Sequence, residues 1–355
     1  MPALKTGEII IQHDSLLDNA VIKMIDRTPK SPPRISTLPF DHNQPEWSVM
    51  IPAYNCIDYL KKTIESVLAQ APHVSQMQIE VIDDFSTDGD VEALVNELGG
   101  GRVGFFKQPY NVGSLRNFET CINRAKGKFL HILHGDDLVR PGFYAEIGAL
   151  FELYPDAGAS FTGCSDIDQN DKWLWDSKEI LSRPGLIDDW LLQISEGQLL
   201  QTPCIVVKRE VYEKLGSFFA VHYGEDWEMW TRIAANYPVA YSPKKLACYR
   251  VHNTNITANS LTTGSNVKDI ATVIDIIQNY LPADRRQELK RRARMNYAIY
   301  VSILSDGIYH RHNNPKAALV QVISAFKLYP SKRTFYRMIK ILGKILIRYK
   351  SKSNL

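Results

Sequence analysis

The sequence has no run of about 18 uninterrupted apolar residues, so nothing in it reads as a membrane-spanning helix. It has no Cys-x-x-Cys pair either. The five cysteines (Cys56, Cys121, Cys164, Cys204 and Cys248) are odd in number and scattered, which disfavours a disulfide scaffold or a structural zinc site. From Met1 to Ile11 the chain carries Lys5 and Glu8 where a secretory leader would carry an apolar core. The expectation is a cytoplasmic protein, with the Asn255-Ile256-Thr257 sequon incidental. No Gly-x-x-x-x-Gly-Lys-[Ser/Thr] loop is present, which counts against a P-loop nucleotidase. A large excess of one charge is also missing. The net charge of +3 is too small to point to nucleic acid, and none is expected as a partner.

What is present is an ordinary globular composition, 45% hydrophobic and 23% charged over 355 residues, long enough for one large domain and an appendage. Charge is unevenly placed. Eight of the 42 basic residues fall between Ser331 and Leu355 with no acid among them, leaving 34 against 39 acidic residues elsewhere.

Residues 1–46 begin with a short helix-like stretch and continue through Thr28-Pro-Lys-Ser-Pro-Pro-Arg34, Pro39 and Pro45, which read as an extended arm or linker. From Trp47 the texture changes. Apolar runs at Ser48–Ile51, Ile79–Asp83, Val103–Phe106 and Phe129–Leu133 predict strands. Between them Ile57, Leu60, Ile64, Val67 and Leu68, then Val91, Leu94, Val95 and Leu98, then Leu115, Phe118 and Ile122 recur at helical spacing. This alternation predicts an α/β fold with a parallel sheet between helices. Shorter strands are expected at Ala159–Thr162, Cys204–Val207 and Ala247–Arg250, helices around Val211 and Trp230, and helix throughout the chain after about Gly264.

In the last of these helices Phe335, Met338, Ile339, Leu342, Leu346 and Tyr349 share a face, opposite Arg337, Lys340, Lys344 and Arg348. Two readings stay open: a solvated helix capping the core, or a basic amphipathic helix on an anionic membrane surface. Gly99, Gly101 and Gly104 satisfy Gly-x-Gly-x-x-Gly, but they follow a helix and precede a strand. A dinucleotide fingerprint needs the reverse polarity, so they read as a helix C-terminal turn.

Ligands of an open parallel sheet bind at the C-terminal ends of its strands. Those ends carry Pro52-Ala53-Tyr54-Asn55, Asp83-Asp84-Phe85-Ser86 and His134-Gly135-Asp136-Asp137. Paired carboxylates at two ends suit a hard cation and a phosphorylated ligand, although Asp-Asp-x-Ser alone is also a common turn.

Trp47-Ser-Val-Met-Ile-Pro-Ala-Tyr-Asn55 with Ile79-Glu-Val-Ile-Asp-Asp-Phe-Ser-Thr-Asp-Gly89 resembles the opening of family 2 glycosyltransferases. Asn111-Val-Gly113 with Arg116-Asn117-Phe118 resembles the family's next segment. His134-Gly-Asp-Asp137 stands where the family carries Asp-x-Asp, Gly224-Glu-Asp-Trp-Glu-Met-Trp230 resembles its acceptor-side motif, and Tyr249-Arg-Val-His-Asn253 its late histidine motif. The resemblance covers about residues 47–260. It implies a GT-A fold over 47–262, followed by a helical region 263–355. It also implies a nucleotide-sugar donor (UDP-, GDP- or dTDP-linked), an inverting transfer, and a saccharide or lipid-linked acceptor in surface polysaccharide or glycan synthesis.

The roles implied for single residues follow the motifs. Pro52, Ala53, Tyr54, Asn55, Asp83, Asp84, Arg116, His134 and Asp137 would surround the nucleotide sugar, with Tyr54 stacking and Asp84 accepting from a ring N–H. Asp83 would touch the ribose or brace its turn. Asp136 and His252 would hold Mn²⁺ or Mg²⁺. Asp226 would be the catalytic base, beside Glu225, whose like charge would raise the pair's pKa. Trp227 and Trp230 would offer stacking surface to the acceptor. One departure stands out: His134 replaces the first aspartate of Asp-x-Asp. Its loss keeps open a non-catalytic nucleotide-sugar or saccharide-binding protein. A sugar-nucleotide pyrophosphorylase loses, because no glycine-rich loop with Arg and Lys follows the first strand.

Overall fold

A computed structural model describes residues 26–39, 43–252, 255–310 and 313–349. The helix-like stretch at the start of the chain, Asn253, Lys350 and Lys352 lie outside the described residues.

The first half alternates as its periodicity predicts: β1 (Trp47–Ala53), α1 (Ile57–Leu68), β2 (Met77–Asp83), α2 (Val91–Gly99), β3 (Gly104–Lys107), α3 (Ser114–Arg124) and β4 (Phe129–Ile132). All seven residues of β1 are buried, because strands pair with it on both edges and helices cover the sheet. The parallel β3-β2-β1-β4 order brings four strand C-termini to one edge. Gly127 lets the chain enter β4 tightly. A Cβ there would sit 2.3 Å from the carbonyl carbon of Trp47. The Gly99–Gly104 stretch is a helix end, with Gly100 in the left-handed C-cap conformation.

Beyond β4 come β5 (Leu138–Val139), α4 (Phe143–Leu153), β6 (Ala159–Asp168), β7 (Trp173–Asp176), β8 (Gly185–Leu186), α5 (Trp190–Ile194), β9 (Ile205–Lys208), α6 (Arg209–Leu215), α7 (Glu225–Ala234) and β10 (Val239–Val251). The sheet continues β4-β9-β6-β10-β5, with β9 antiparallel to both neighbours and β6 parallel to β10. The whole is therefore mixed, parallel in its first half, with the C-terminal ends of β6 and β10 at the same edge as those of β1, β2 and β4.

The helices α8 (Ile256–Thr263), α9 (Ser265–Ile277), α10 (Arg286–His310), α11 (Pro315–Leu328) and α12 (Lys332–Leu346) complete the chain. They do not form a detached body. Ile270, Val273, Ile274 and Ile277 of α9 belong to the same buried core as the sheet. Residues 26–39 of the proline-rich arm contain no helix or strand and are packed against the domain rather than free. Ile35 enters that core, Pro29 and Pro33 accept backbone hydrogen bonds from Ala220 and Ser217, and Arg209 donates to the Ser36 carbonyl.

The terminal helix α12 packs with its charged side inward, an orientation that neither sequence reading specified. Its cations Arg337, Lys340 and Lys344 face inward onto Asp306 of α10, and the outward side is apolar. An acid on the neighbouring helix, invisible to periodicity within α12, sets this orientation.

Candidate active site

The strand ends border a cleft of about 1510 Å³. Pro52, Ala53, Tyr54 and Asn55 leave β1 along one wall, and Asn55 adopts a left-handed turn (φ 50°). That turn is clamped to the next strand end. The Asn55 N–H donates to Ser86 Oγ at 3.0 Å, and its Oδ1 accepts from the Thr87 N–H at 2.8 Å. The Tyr54 ring is half exposed to the cleft, as a stacking surface requires.

Asp84 lines the same wall but its carboxylate is already engaged. It accepts from the N–H groups of Val112 (2.7 Å) and Gly113 (2.9 Å) and from Asn111 Nδ2 (3.0 Å). Burial pushes it up to about 6 against these hydrogen bonds, so they only partly repay desolvation. Asp83 does not reach the cleft. It is buried beneath the turn, where Oδ1 accepts from the Ser86 N–H at 3.0 Å, the bracing alternative. Arg116 also points elsewhere, to the Asp26 carbonyl and to Glu119 at 2.7 Å. The basic group on this wall is instead Arg27 of the arm, hydrogen-bonded to Asn111 Oδ1. No periodic signal marks a single arginine before a proline-rich stretch.

The turn after β4 supplies His134 and Asp136 to the cleft. The His134 ring stacks on Phe118 (centroids 5.4 Å apart), and its Nε2 is buried with no hydrogen-bond partner among the described residues. Burial holds the imidazole below its ordinary pKa, toward the neutral form that can donate a lone pair. Asp136 Oδ2 meets His252 Nε2 at 2.9 Å. Burial opposes its ionisation, but the His252 hydrogen bond and the neighbouring imidazoles outweigh it and hold Asp136 below the usual carboxylate range. Asp137 lies underneath rather than in the cleft. Its Oδ1 accepts from the Arg250 N–H at 2.8 Å, and burial beside Asp136 drives its pKa well up. Arg250, fully buried, ties this turn to β10 by donating to the Asp136 carbonyl at 2.8 Å.

His134, Asp136 and Asp137 each offer a ligand atom within 4.8 Å of the others, and the buried Asp137 Oδ2 has no hydrogen-bond partner among the described residues, with His134 Nδ1 3.6 Å away. Two carboxylates, an unpaired imidazole nitrogen and a nearby second imidazole fit a divalent cation.

Opposite these groups, α7 begins at Gly224, whose φ of 88° and close contact with Ile270 leave no room for a side chain. Glu225 and Asp226 in its first turn line the cleft, favourably placed for the helix dipole. Asp226 Oδ2 accepts from Gln198 Nε2 at 2.6 Å, and Oδ1 from the Trp227 N–H at 2.8 Å. Burial pushes Asp226 up to about 6. Glu225 is also raised well above the usual carboxylate range, by burial and then by Asp226. Trp227 and Trp230 correct the acceptor-side expectation. Both are core residues, 1% and 2% exposed, with Trp227 Nε1 donating to the Ile194 carbonyl and Trp230 edge-on to Phe218. On a helix whose one turn faces the cleft, the indoles fall on the buried side. The exposed indole near the cleft is Trp175 of β7, and α10 adds Tyr297 and Tyr300.

Residues 48–216 match the family described as glycosyl transferase family 2. This segment belongs to that family. An uncharacterized glycosyltransferase of Haemophilus influenzae is 25% identical over 222 residues, 59% of this chain and 67% of that protein. The structure of S. aureus TarS 1–349 in complex with UDP-GlcNAc superposes with a TM-score of 0.58 at 14% identity, over 85% of this chain and 80% of that one. The mannosyltransferase PcManGT from Pyrobaculum calidifontis, in complex with GDP-Man and Mn²⁺, gives 0.53 at 18% identity over 96% and 89%. The fold is accordingly GT-A with a C-terminal helical region. The cleft described above lies at the glycosyltransferase domain's sheet edge.

Proposed function

We propose that the chain transfers a sugar, with inversion, from a nucleotide-sugar donor to a hydroxyl of a saccharide or lipid-linked acceptor, with Asp226 as general base. The observation that carries this is the placement of Asp226 in the same cleft as the Tyr54, Asp84 and Asp136 strand ends. TarS and PcManGT, with UDP-GlcNAc and GDP-Man in their structures, support a nucleotide-sugar donor of either base type.

In this reading the nucleoside lies against Tyr54, Asn55 and the Asp84-braced turn. Asp84 fixes the 111–113 backbone and meets the base with what hydrogen-bonding capacity remains to it. Asp136 and His252 would hold Mn²⁺ or Mg²⁺, with the unpaired His134 Nε2 beside them. A bound cation supplies charge neutralisation at the diphosphate that leaves. The acceptor hydroxyl gives its proton to Asp226 as its oxygen forms the new bond to the anomeric carbon. The bond from that carbon to the diphosphate breaks on the opposite face. A base with a pKa near 6 is mostly ionised at neutral pH and still basic enough to take a proton. Gln198 orients the carboxylate.

Binding and product stereochemistry test the reading. Calorimetry should find one of UDP, GDP or dTDP favoured, more tightly with Mn²⁺ than with chelator. Product NMR should show the inverted anomer. A retained anomer overturns the single-displacement scheme, and absence of binding to any nucleotide overturns the donor site.

A further inference from the structure

The terminal helix α12 is laid on the protein with its polar side inward. Arg337, Lys340 and Lys344 contact Asp306 of α10 at 2.5, 2.9 and 2.7 Å, and Lys344 also meets His310 Nε2 at 2.6 Å. Ile341 is buried beside Ile308 and Val322, which fixes the helix against α10 and α11. The other side is left uncovered. Phe335, Tyr336 and Ile339 are 51%, 65% and 50% exposed, and Leu346 and Ile347 are 81% and 73% exposed. So large an apolar strip on one helix marks an interaction surface.

Cations frame the strip. Lys332 and Arg333 precede it and Arg348 follows it, all exposed and without an ion pair among the described residues. The sequence adds Lys350 and Lys352, and no acid occurs from Ser331 to Leu355. Asp306 neutralises the inner cations only, so the positive charge that remains borders the apolar strip.

We propose that this face docks on an anionic lipid bilayer. The helix axis lies in the plane of the membrane, Phe335, Ile339 and Leu346 enter the acyl boundary, and the flanking cations meet the headgroups. A second copy of the chain fits less well, since two such faces would bring like charges together. α10 carries both the Asp306 anchor and Tyr300, which borders the cleft, so docking sets the cleft at a fixed place relative to the bilayer. The surface stands apart from the catalytic reading and does not depend on it.

The test is flotation of the full chain with phosphatidylcholine vesicles, alone or with about a third phosphatidylglycerol. Binding is expected only to the anionic vesicles, and weaker as salt shortens the Debye length from about 10 Å at 0.1 M to about 3 Å at 1 M. The double variant Ile339→Glu/Leu346→Glu should lose about tenfold or more of that binding with an unchanged melting temperature, because both side chains are exposed. Wild-type protein that ignores anionic vesicles, or a variant that floats equally well, overturns the proposal. A wild-type dimer in light scattering that the double variant converts to monomer, without vesicle binding, assigns the face to a second copy instead.

Discussion

His252 at the end of β10 and Asp136 after β4 meet in a 2.9 Å hydrogen bond across 116 residues of sequence. The bond closes the two halves of the sheet over one point, and Arg250 reinforces it two residues earlier through the Asp136 carbonyl and the Asp137 carboxylate. A cation bound there would take over the role the imidazole plays for the carboxylate.

Asp136→Ala should therefore weaken Mn²⁺ binding, measured by calorimetry, by about tenfold or more. His252→Ala should weaken it less, because His134 Nε2 remains beside the site. Unchanged Mn²⁺ affinity in Asp136→Ala would place the cation elsewhere.

The pH dependence of transfer follows from Asp226. Its carboxyl is raised to about 6 by burial, so kcat/KM should rise through a single ionisation near pH 6 and level off above it. The sign for stability is the opposite. A carboxyl whose pKa is raised in the folded protein favours folding when protonated, and that contribution disappears as pH climbs from about 4 to about 6. Asp226→Asn should accordingly leave the melting temperature at pH 7 close to wild type. A large loss of stability would show that the ionised carboxylate has a structural role.

Trp230→Ala should cost about 3–5 kcal/mol in chemical denaturation, the range for emptying a buried aromatic site. Trp227→Phe should cost less, losing chiefly the Ile194 hydrogen bond, about 0.5–1.5 kcal/mol. Neither should shift acceptor preference in whatever protein remains folded. A changed preference with unchanged stability would return the indoles to the acceptor side.

Asp306 is buried only in part. Although desolvation opposes it, the hydrogen bonds from Lys344 and Lys340 hold it down to about 2. A depressed carboxyl stabilises the fold above the unfolded value near 4, and the contribution is lost as pH falls toward 2. Asp306→Asn should loosen α12 at neutral pH by about 1–2 kcal/mol, discounted for its partial solvation. Hydrogen exchange along Lys332–Leu346 should quicken. Protection equal to wild type would mean that apolar packing alone seats the helix.

The first half of the fold was legible because β1, β2 and β4 bury continuous apolar runs and the helices between the strands bury one apolar face each, patterns that local periodicity reports directly. The second half was less so. β5 and β8 are two residues each, and β7 is mostly exposed, so none carries a period to detect. In the site, the polar strand ends announced Tyr54, Asp84, His134 and Asp136 because an open α/β sheet collects its ligands there. Asp83, Asp137 and Arg116 sit in the same motifs but point under the turns or outward, a direction that residue type does not encode. Arg27 and Gln198 reach the cleft from segments without any pattern. The side of α12 that faces inward was set by Asp306, an acid 31 to 38 residues before the cations it holds.

Release of nucleotide from a panel of UDP-, GDP- and dTDP-sugars by wild type and Asp226→Asn, each with Mn²⁺ and with chelator, tests the central claim most directly. Slow transfer to water makes the acceptor's identity unnecessary. The account predicts metal-dependent release from one donor class, lowered by at least about 10²-fold in Asp226→Asn while donor affinity stays within a few-fold of wild type. Equal release by both proteins would remove Asp226 from the chemistry, and donor binding with no turnover on water or any saccharide would make the chain a binding protein.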